Sequence, residues 1–94
     1  MTILFAPKAE QDFRAAVEFL RVDNLRAAAA LADRIFAVID QLAAGEFEGT
    51  ARELTTGERV RSFPVPPVRI YYQRTRDRLW ILRIYDQRRA PIER

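Results

Sequence analysis

Val68-Arg69-Ile70-Tyr71-Tyr72-Gln73-Arg74, Thr75-Arg76-Asp77-Arg78 and Leu79-Trp80-Ile81-Leu82-Arg83-Ile84-Tyr85 follow one another without a break, and this stretch decides the fold. The first and last runs are rich in β-branched and aromatic residues, which suit a pleated, half-buried surface. The polar residues between them, centred on Asp77, suit a tight turn. Run, turn and run predict an antiparallel hairpin. Upstream, Arg59-Val60-Arg61-Ser62-Phe63 predicts another strand. Pro64, Pro66 and Pro67 are expected to end it, because proline cannot donate to a ladder. Alternation along a strand then assigns faces. Val60, Val68, Ile70, Tyr72, Trp80, Leu82 and Ile84 are expected to point inward. Arg59, Arg61, Arg69, Tyr71, Gln73, Ile81, Arg83 and Tyr85 are expected on a solvated outer face, with Arg88 and Arg89 at its edge.

Nearer the N-terminus the period changes. Thr2-Ile3-Leu4-Phe5 is a short apolar run that predicts a strand. Pro7 suits the first position of a helix, where its missing N–H is not needed. Ala9, Phe13, Ala16, Val17 and Leu20 form one helical stripe, with Glu10, Gln11, Arg14, Glu18 and Arg21 off it. Glu10 and Asp12 near the start favour the helix dipole. Asp23-Asn24 interrupts, and either residue can cap a second helix. Its stripe is Ala28, Leu31, Ala32, Ile35, Ile39 and Leu42, with Val38 beside it and Gly45 as the stop. So short a connection predicts an antiparallel helical hairpin, which the alanines at 27–30 allow to pack closely. Residues 46–58 show no sustained period and predict a loop, anchored to the core by Leu54.

The expected fold is α+β, one domain over residues 1–94: an N-terminal strand, the helical hairpin, then a three-stranded antiparallel sheet with the helices on one face. The chain has no cysteine and no histidine. That excludes disulfides, thiolate metal sites, a Ser-His-Asp triad and the usual neutral-pH base within this chain. No metal and no cofactor is expected. No apolar run reaches the ~18 residues of a membrane span, and the N-terminus lacks the pattern of a signal peptide. A cytoplasmic protein with no membrane partner is expected. Residues 1–47 carry five bases and seven acids, net −2, while residues 48–94 carry eleven bases and six acids, net +5. Fifteen of the sixteen bases are Arg, whose planar fork suits phosphate and carboxylate partners. An Arg-and-Tyr sheet face would suit an anionic partner, although charged outer faces are also ordinary on antiparallel sheets.

Four motifs in order carry a resemblance: Pro7-Lys8-Ala9-Glu10-Gln11-Asp12-Phe13, Leu54-Thr55-Thr56-Gly57-Glu58-Arg59-Val60-Arg61, Val68-Arg69-Ile70-Tyr71-Tyr72, and Ile81-Leu82-Arg83-Ile84-Tyr85-Asp86-Gln87-Arg88-Arg89. With the element order, they make the chain resemble the RelE/ParE superfamily of bacterial toxins from type II toxin–antitoxin systems. The resemblance implies a small cytoplasmic toxin neutralised by a cognate antitoxin in a hetero-oligomer. An antitoxin tail would use helix-in-groove contacts and strand addition. Phe36 and Phe47, off the main stripe and in the loop, are expected antitoxin contacts, with core packing the plainer role for both.

The superfamily contains two activities. RelE-like members cut mRNA on the ribosome without a metal, using basic residues and a Tyr, Glu or His near the C-terminus. By resemblance Arg61, Arg83, Tyr85 and Tyr71 would be the catalytic candidates here. The match is partial. Many relatives have His near the position of Asp86, and only Ala90-Pro91-Ile92-Glu93-Arg94 follows Arg89, with no Tyr. ParE-like members inhibit DNA gyrase and lack that catalytic set. The chain therefore reads as more ParE-like, a non-catalytic toxin acting on gyrase. Arg59, Arg61, Arg69, Arg83, Arg88 and Arg89 are then the expected target-binding residues. A RelE-like ribonuclease with a ribosome and mRNA target, and a degenerate non-toxic binding module, are the alternatives.

Overall fold

Pro7 opens the first helix with no side-chain cap at Ala6, and a single residue, Asn24, separates it from the second. Asn24 serves both helices. Its N–H donates to Leu20 O, ending the first, and its side-chain oxygen accepts from Ala27 N at 3.0 Å, starting the second. Gly45 stops the second helix in the left-handed region at φ 74°, where a side chain would be strained. The computed structural model describes residues 1–94. Its elements are β1 (Thr2–Phe5), α1 (Pro7–Asp23), α2 (Leu25–Ala44), β2 (Thr50–Glu53), β3 (Arg59–Val65), β4 (Val68–Arg74) and β5 (Arg78–Asp86). Phe13 meets Phe36 at 5.2 Å between ring centroids. The two residues stand nearly equidistant from Asn24, as antiparallel helices require.

The strands form one mixed sheet in the order β1-β5-β4-β3-β2. β1 runs parallel to β5, and the other pairs are antiparallel. The expected three-stranded antiparallel sheet is its centre, extended by β1 on one edge and β2 on the other. Helices cover one face. Leu31, Ile35, Ile39 and Leu42 of α2 and Ala9 of α1 meet Val65, Val68, Ile70, Tyr72, Leu79, Ile81 and Ile84 of the sheet in one buried cluster. A second, smaller cluster lies on the opposite face: Leu54, Val60, Tyr71 and Tyr85, with Leu82 and Ile92 against it.

Four expectations are corrected here. Residues 50–53 are a strand rather than loop, and all four are exposed, so β2 has no buried side chain from which to read an alternation. β3 continues through Pro64 to Val65. β2 pairs only with Arg59–Ser62, so Pro64 lies where β3 has no outer neighbour and its missing N–H costs no ladder bond. In β5, Leu79, Ile81 and Ile84 enter the helix-side core, whereas Trp80 and Leu82 do not. Tyr72 opposes Ile81 but Tyr71 opposes Arg83, so Leu82 is an extra residue, a β-bulge that shifts the alternation by one. Finally, Arg61 opposes Tyr72, so Arg59 and Arg61 take the helix-side face and Val60 takes the other.

Gly49 sits where β2 begins. A Cβ there would stand 2.2 Å from the backbone oxygen of Ser62 and 3.0 Å from the Tyr72 hydroxyl oxygen. A backbone atom held in a sheet cannot move aside. The Gly49 N–H also donates to Tyr72 Oη at 2.6 Å. Gly49→Ala is expected to cost about 3 kcal/mol, at the upper end of overpacking penalties. Urea denaturation checks it; an unchanged midpoint would contradict the close approach.

Candidate functional site

The outer face of the sheet is not the open Arg-and-Tyr surface expected. The segment after β5 folds back across it. Thr55 N donates to Ile92 O at 2.7 Å and Arg94 N to Glu53 O at 2.9 Å, with Leu54 bridged to Glu93. Beneath this strap Tyr71 and Tyr85 are 4 % and 7 % exposed. Both hydroxyls are engaged as donors, Tyr71 to the Glu93 carboxylate and Tyr85 to Ala90 O. Arg52 approaches Glu93 from the other side at 3.4 Å. Burial first, then the bond to Glu93, push the Tyr71 phenol well above its ordinary value.

A sign follows for alkaline pH. Above about pH 10 the unfolded chain ionises its tyrosines while folded Tyr71 stays neutral. Stability from this group is therefore complete below that pH and declines as pH rises further. Absorbance at 295 nm should show one tyrosine titrating later than an ordinary phenol, and Glu93→Gln should bring it earlier.

Arg83 turns around the edge of β5. Its Nε and Nη2 donate to the two oxygens of Asp12 at 2.7 and 3.0 Å, and Ile84 N donates to the same carboxylate at 3.1 Å. Asp12 holds the Arg83 guanidinium above its ordinary pKa, chiefly through these bonds. The ring of Tyr85 has the Arg83 guanidinium 5.0 Å from its centroid and the Arg89 guanidinium at the same distance. Arg88 bonds Asp86 twice, at 2.9 and 2.6 Å, and lies 5.3 Å from the ring centroid of Phe19. That pairing holds the Asp86 carboxyl below the usual range.

The expected target-binding arginines are thus divided. Arg69 is on the strap side, its Nη1 donating to Ser62 Oγ at 2.7 Å. Arg83, Arg88 and Arg89 gather around the end of β5. Arg59 and Arg61 line an open cleft of about 700 Å³ at the end of β2, β3 and β4 that α2 leaves uncovered. Of the expected antitoxin contacts, Phe36 is 46 % exposed and rims a hollow of about 280 Å³ with Phe5, Phe13, Glu10 and Arg14. Phe47 is stacked on Phe63 at 4.4 Å and packs against the main core, the plainer of its two expected roles.

Three residues escaped the sequence reading. Asp12 read as a helix-dipole acid, and Glu93 lay in a segment with no pattern. Phe19, 63 % exposed, continues a second stripe on α1 through Ala15 and Val22, a spacing that was visible in the sequence.

These features define a class: a small α+β domain with a helical hairpin on a mixed sheet, rich in arginine, and with its tyrosine hydroxyls sealed. A family model described as "ParE toxin of type II toxin-antitoxin system, parDE" matches residues 3–91. A solved chain from the chromosomal ParDE TA system of P. aeruginosa shares the fold, with a TM-score of 0.72 at 21 % identity over 92 % of this chain and 95 % of that one. Among curated proteins none matches. The chain belongs to the ParE family of type II toxins.

Proposed function

We propose that this chain is a non-catalytic toxin that arrests growth by acting on DNA gyrase and is neutralised by a cognate antitoxin in the cytoplasm. The observation that carries the non-catalytic reading is the state of Tyr71 and Tyr85. General acid–base work needs a group within hydrogen-bond reach of the reacting atom. Both phenols are buried with their protons committed, and the Tyr71 pKa is raised further from neutrality. Arg83 is committed to Asp12. Family membership supports the toxin and its pairing with an antitoxin, and gyrase is the target that the ParE-like reading names.

Arg88 and Arg89, exposed at the end of β5, are the first proposed target contacts. Arg69 and Arg83 would act mainly by holding that end of the sheet in place. Phe36, with its neighbouring hollow, is the proposed anchor for an antitoxin helix. Phe36→Asp should weaken antitoxin binding by tenfold or more, while Phe47→Leu should act through stability instead. The direct test is gyrase supercoiling with the purified chain. Inhibition that survives Tyr71→Phe and Tyr85→Phe but falls with Arg88→Ala/Arg89→Ala is expected. No inhibition at high molar excess would contradict the reading.

A further inference from the structure

One end of the sheet carries a concentration of arginine that the strap and the helices use only in part. The start of β3 and the end of β4 meet there, bringing Arg59, Arg61 and Arg74 to one cleft, with Arg52 in its wall and Arg76 in the turn that follows β4. Register confirms the neighbourhood: Arg74 opposes Leu79, and the Gln73 side chain donates to Arg59 O at 3.0 Å. Some of these groups are structural. Arg74 donates to Leu42 O and Ala43 O at the C-terminus of α2, and Arg61 donates to Gly49 O at 2.9 Å. Arg59, Arg76 and Arg78 are exposed, and their guanidinia enter none of the ion pairs.

The cleft beside them has the wrong lining for a protein anchor. Among its walls only Ala51, Val60 and Tyr72 are apolar, and the latter two are buried. Protein interfaces depend on large apolar or aromatic anchors seated in dry pockets. The cleft is instead lined by four arginines, Arg52, Arg59, Arg61 and Arg74, and two acids, Glu48 and Glu53, with the Arg52 guanidinium turned to Glu93 at 3.4 Å. Glu53 is already paired with Arg94 at 3.4 Å, and Glu48 stands 3.9 Å from Arg61. Arg61 opposes Tyr72, so Arg59, Arg61 and Arg74 share one face, and strands about 4.8 Å apart present these three as neighbouring planar forks rather than a single point charge. Such a group fits a ligand of repeating negative charge and no fixed apolar shape.

We propose that this end of the sheet binds a phosphodiester backbone, with Arg59 and Arg76 as phosphate contacts and Arg61 as a supporting third. The contact is to nucleic acid itself and does not depend on the gyrase reading. Its failure would leave supercoiling inhibition untouched, and the reverse also holds.

The test is fluorescence anisotropy of a labelled 20-base-pair duplex with the purified full chain at 50 and 200 mM salt. The expected result is binding at 50 mM that weakens at least tenfold by 200 mM. Arg59→Ala/Arg76→Ala should lower the slope of log affinity against log salt by about 1.8, from roughly 0.9 per phosphate contact. Neither side chain holds the fold, and circular dichroism verifies that both variants remain folded. Arg14→Ala/Arg26→Ala removes the same charge from exposed helix positions and should leave the slope nearly unchanged. Three results would overturn the proposal: no binding at 50 mM salt, an equal loss of slope in the helix variant, or equal competition by polyglutamate of matched charge. The last would assign the surface to an acidic polypeptide.

Discussion

Asp12→Ala is expected to destabilise the fold by about 3–5 kcal/mol, the range for removing one partner of a buried ion pair. β1 covers β5 only as far as Ile81, and beyond that point β5 has no strand on this side. Asp12 of α1 takes the place of that missing neighbour. Asp12 is 9 % exposed, and its carboxylate accepts from Ile84 N and from both Nε and Nη2 of Arg83. Alanine leaves a buried N–H and a partly buried guanidinium without acceptors. Against a typical total of about 5–15 kcal/mol, that is a large share. Asp12→Asn keeps the shape and one acceptor, so its cost should fall in between. The measurement is the urea midpoint of both variants. A loss below about 1 kcal/mol for alanine would mean water replaces the carboxylate easily, as at exposed ion pairs.

Deleting residues 90–94 is expected to give the second large effect, confined to one face. The strap covers Leu54, Val60, Tyr71 and Tyr85 with Ile92 and ties itself to residues 53–55 by backbone bonds. Its loss exposes that cluster and removes the acceptors of both tyrosine hydroxyls. Ile92 burial contributes about 1–2 kcal/mol, since the side chain is only partly covered. Each lost hydrogen bond adds about 1 kcal/mol. The truncated chain no longer has to order these residues, and that entropy offsets part of the loss. A net loss of about 2 kcal/mol is expected, with helix content unchanged because the larger cluster lies on the opposite face. The late-titrating tyrosine should also disappear. A truncated chain that keeps it would show that burial under the strap is not what raises the Tyr71 pKa.

Elements with a buried stripe and an end signal were legible in the sequence. Leu31, Ile35, Ile39 and Leu42 announce α2, and Asn24 and Gly45 bound it. Val68, Ile70 and Tyr72 correctly gave the inner face of β4. What was hidden depends on pairing. β2 has no inner face, so nothing in Thr50-Ala51-Arg52-Glu53 marks a strand. The bulge at Leu82 becomes visible only when β5 is laid against β4. The strap was hidden because Pro91-Ile92-Glu93 has no period and gains its role from residues some forty positions earlier. Its absence from the reading left Tyr71 and Tyr85 looking exposed. The candidate site was therefore legible in composition, as an arginine-rich second half, but not in arrangement. One expected face became three separate groups of arginines.

The central claim is that this ParE-family chain arrests growth through gyrase without cutting RNA. Pulse labelling after tightly controlled induction in a bacterial host tests it most directly, following labelled thymidine and labelled amino acid over the first minutes. The account predicts that thymidine incorporation falls first while translation continues, with the Tyr71→Phe and Tyr85→Phe chains behaving like the parent. Amino-acid incorporation falling first would contradict it and would place the chain with the ribosome-dependent ribonucleases.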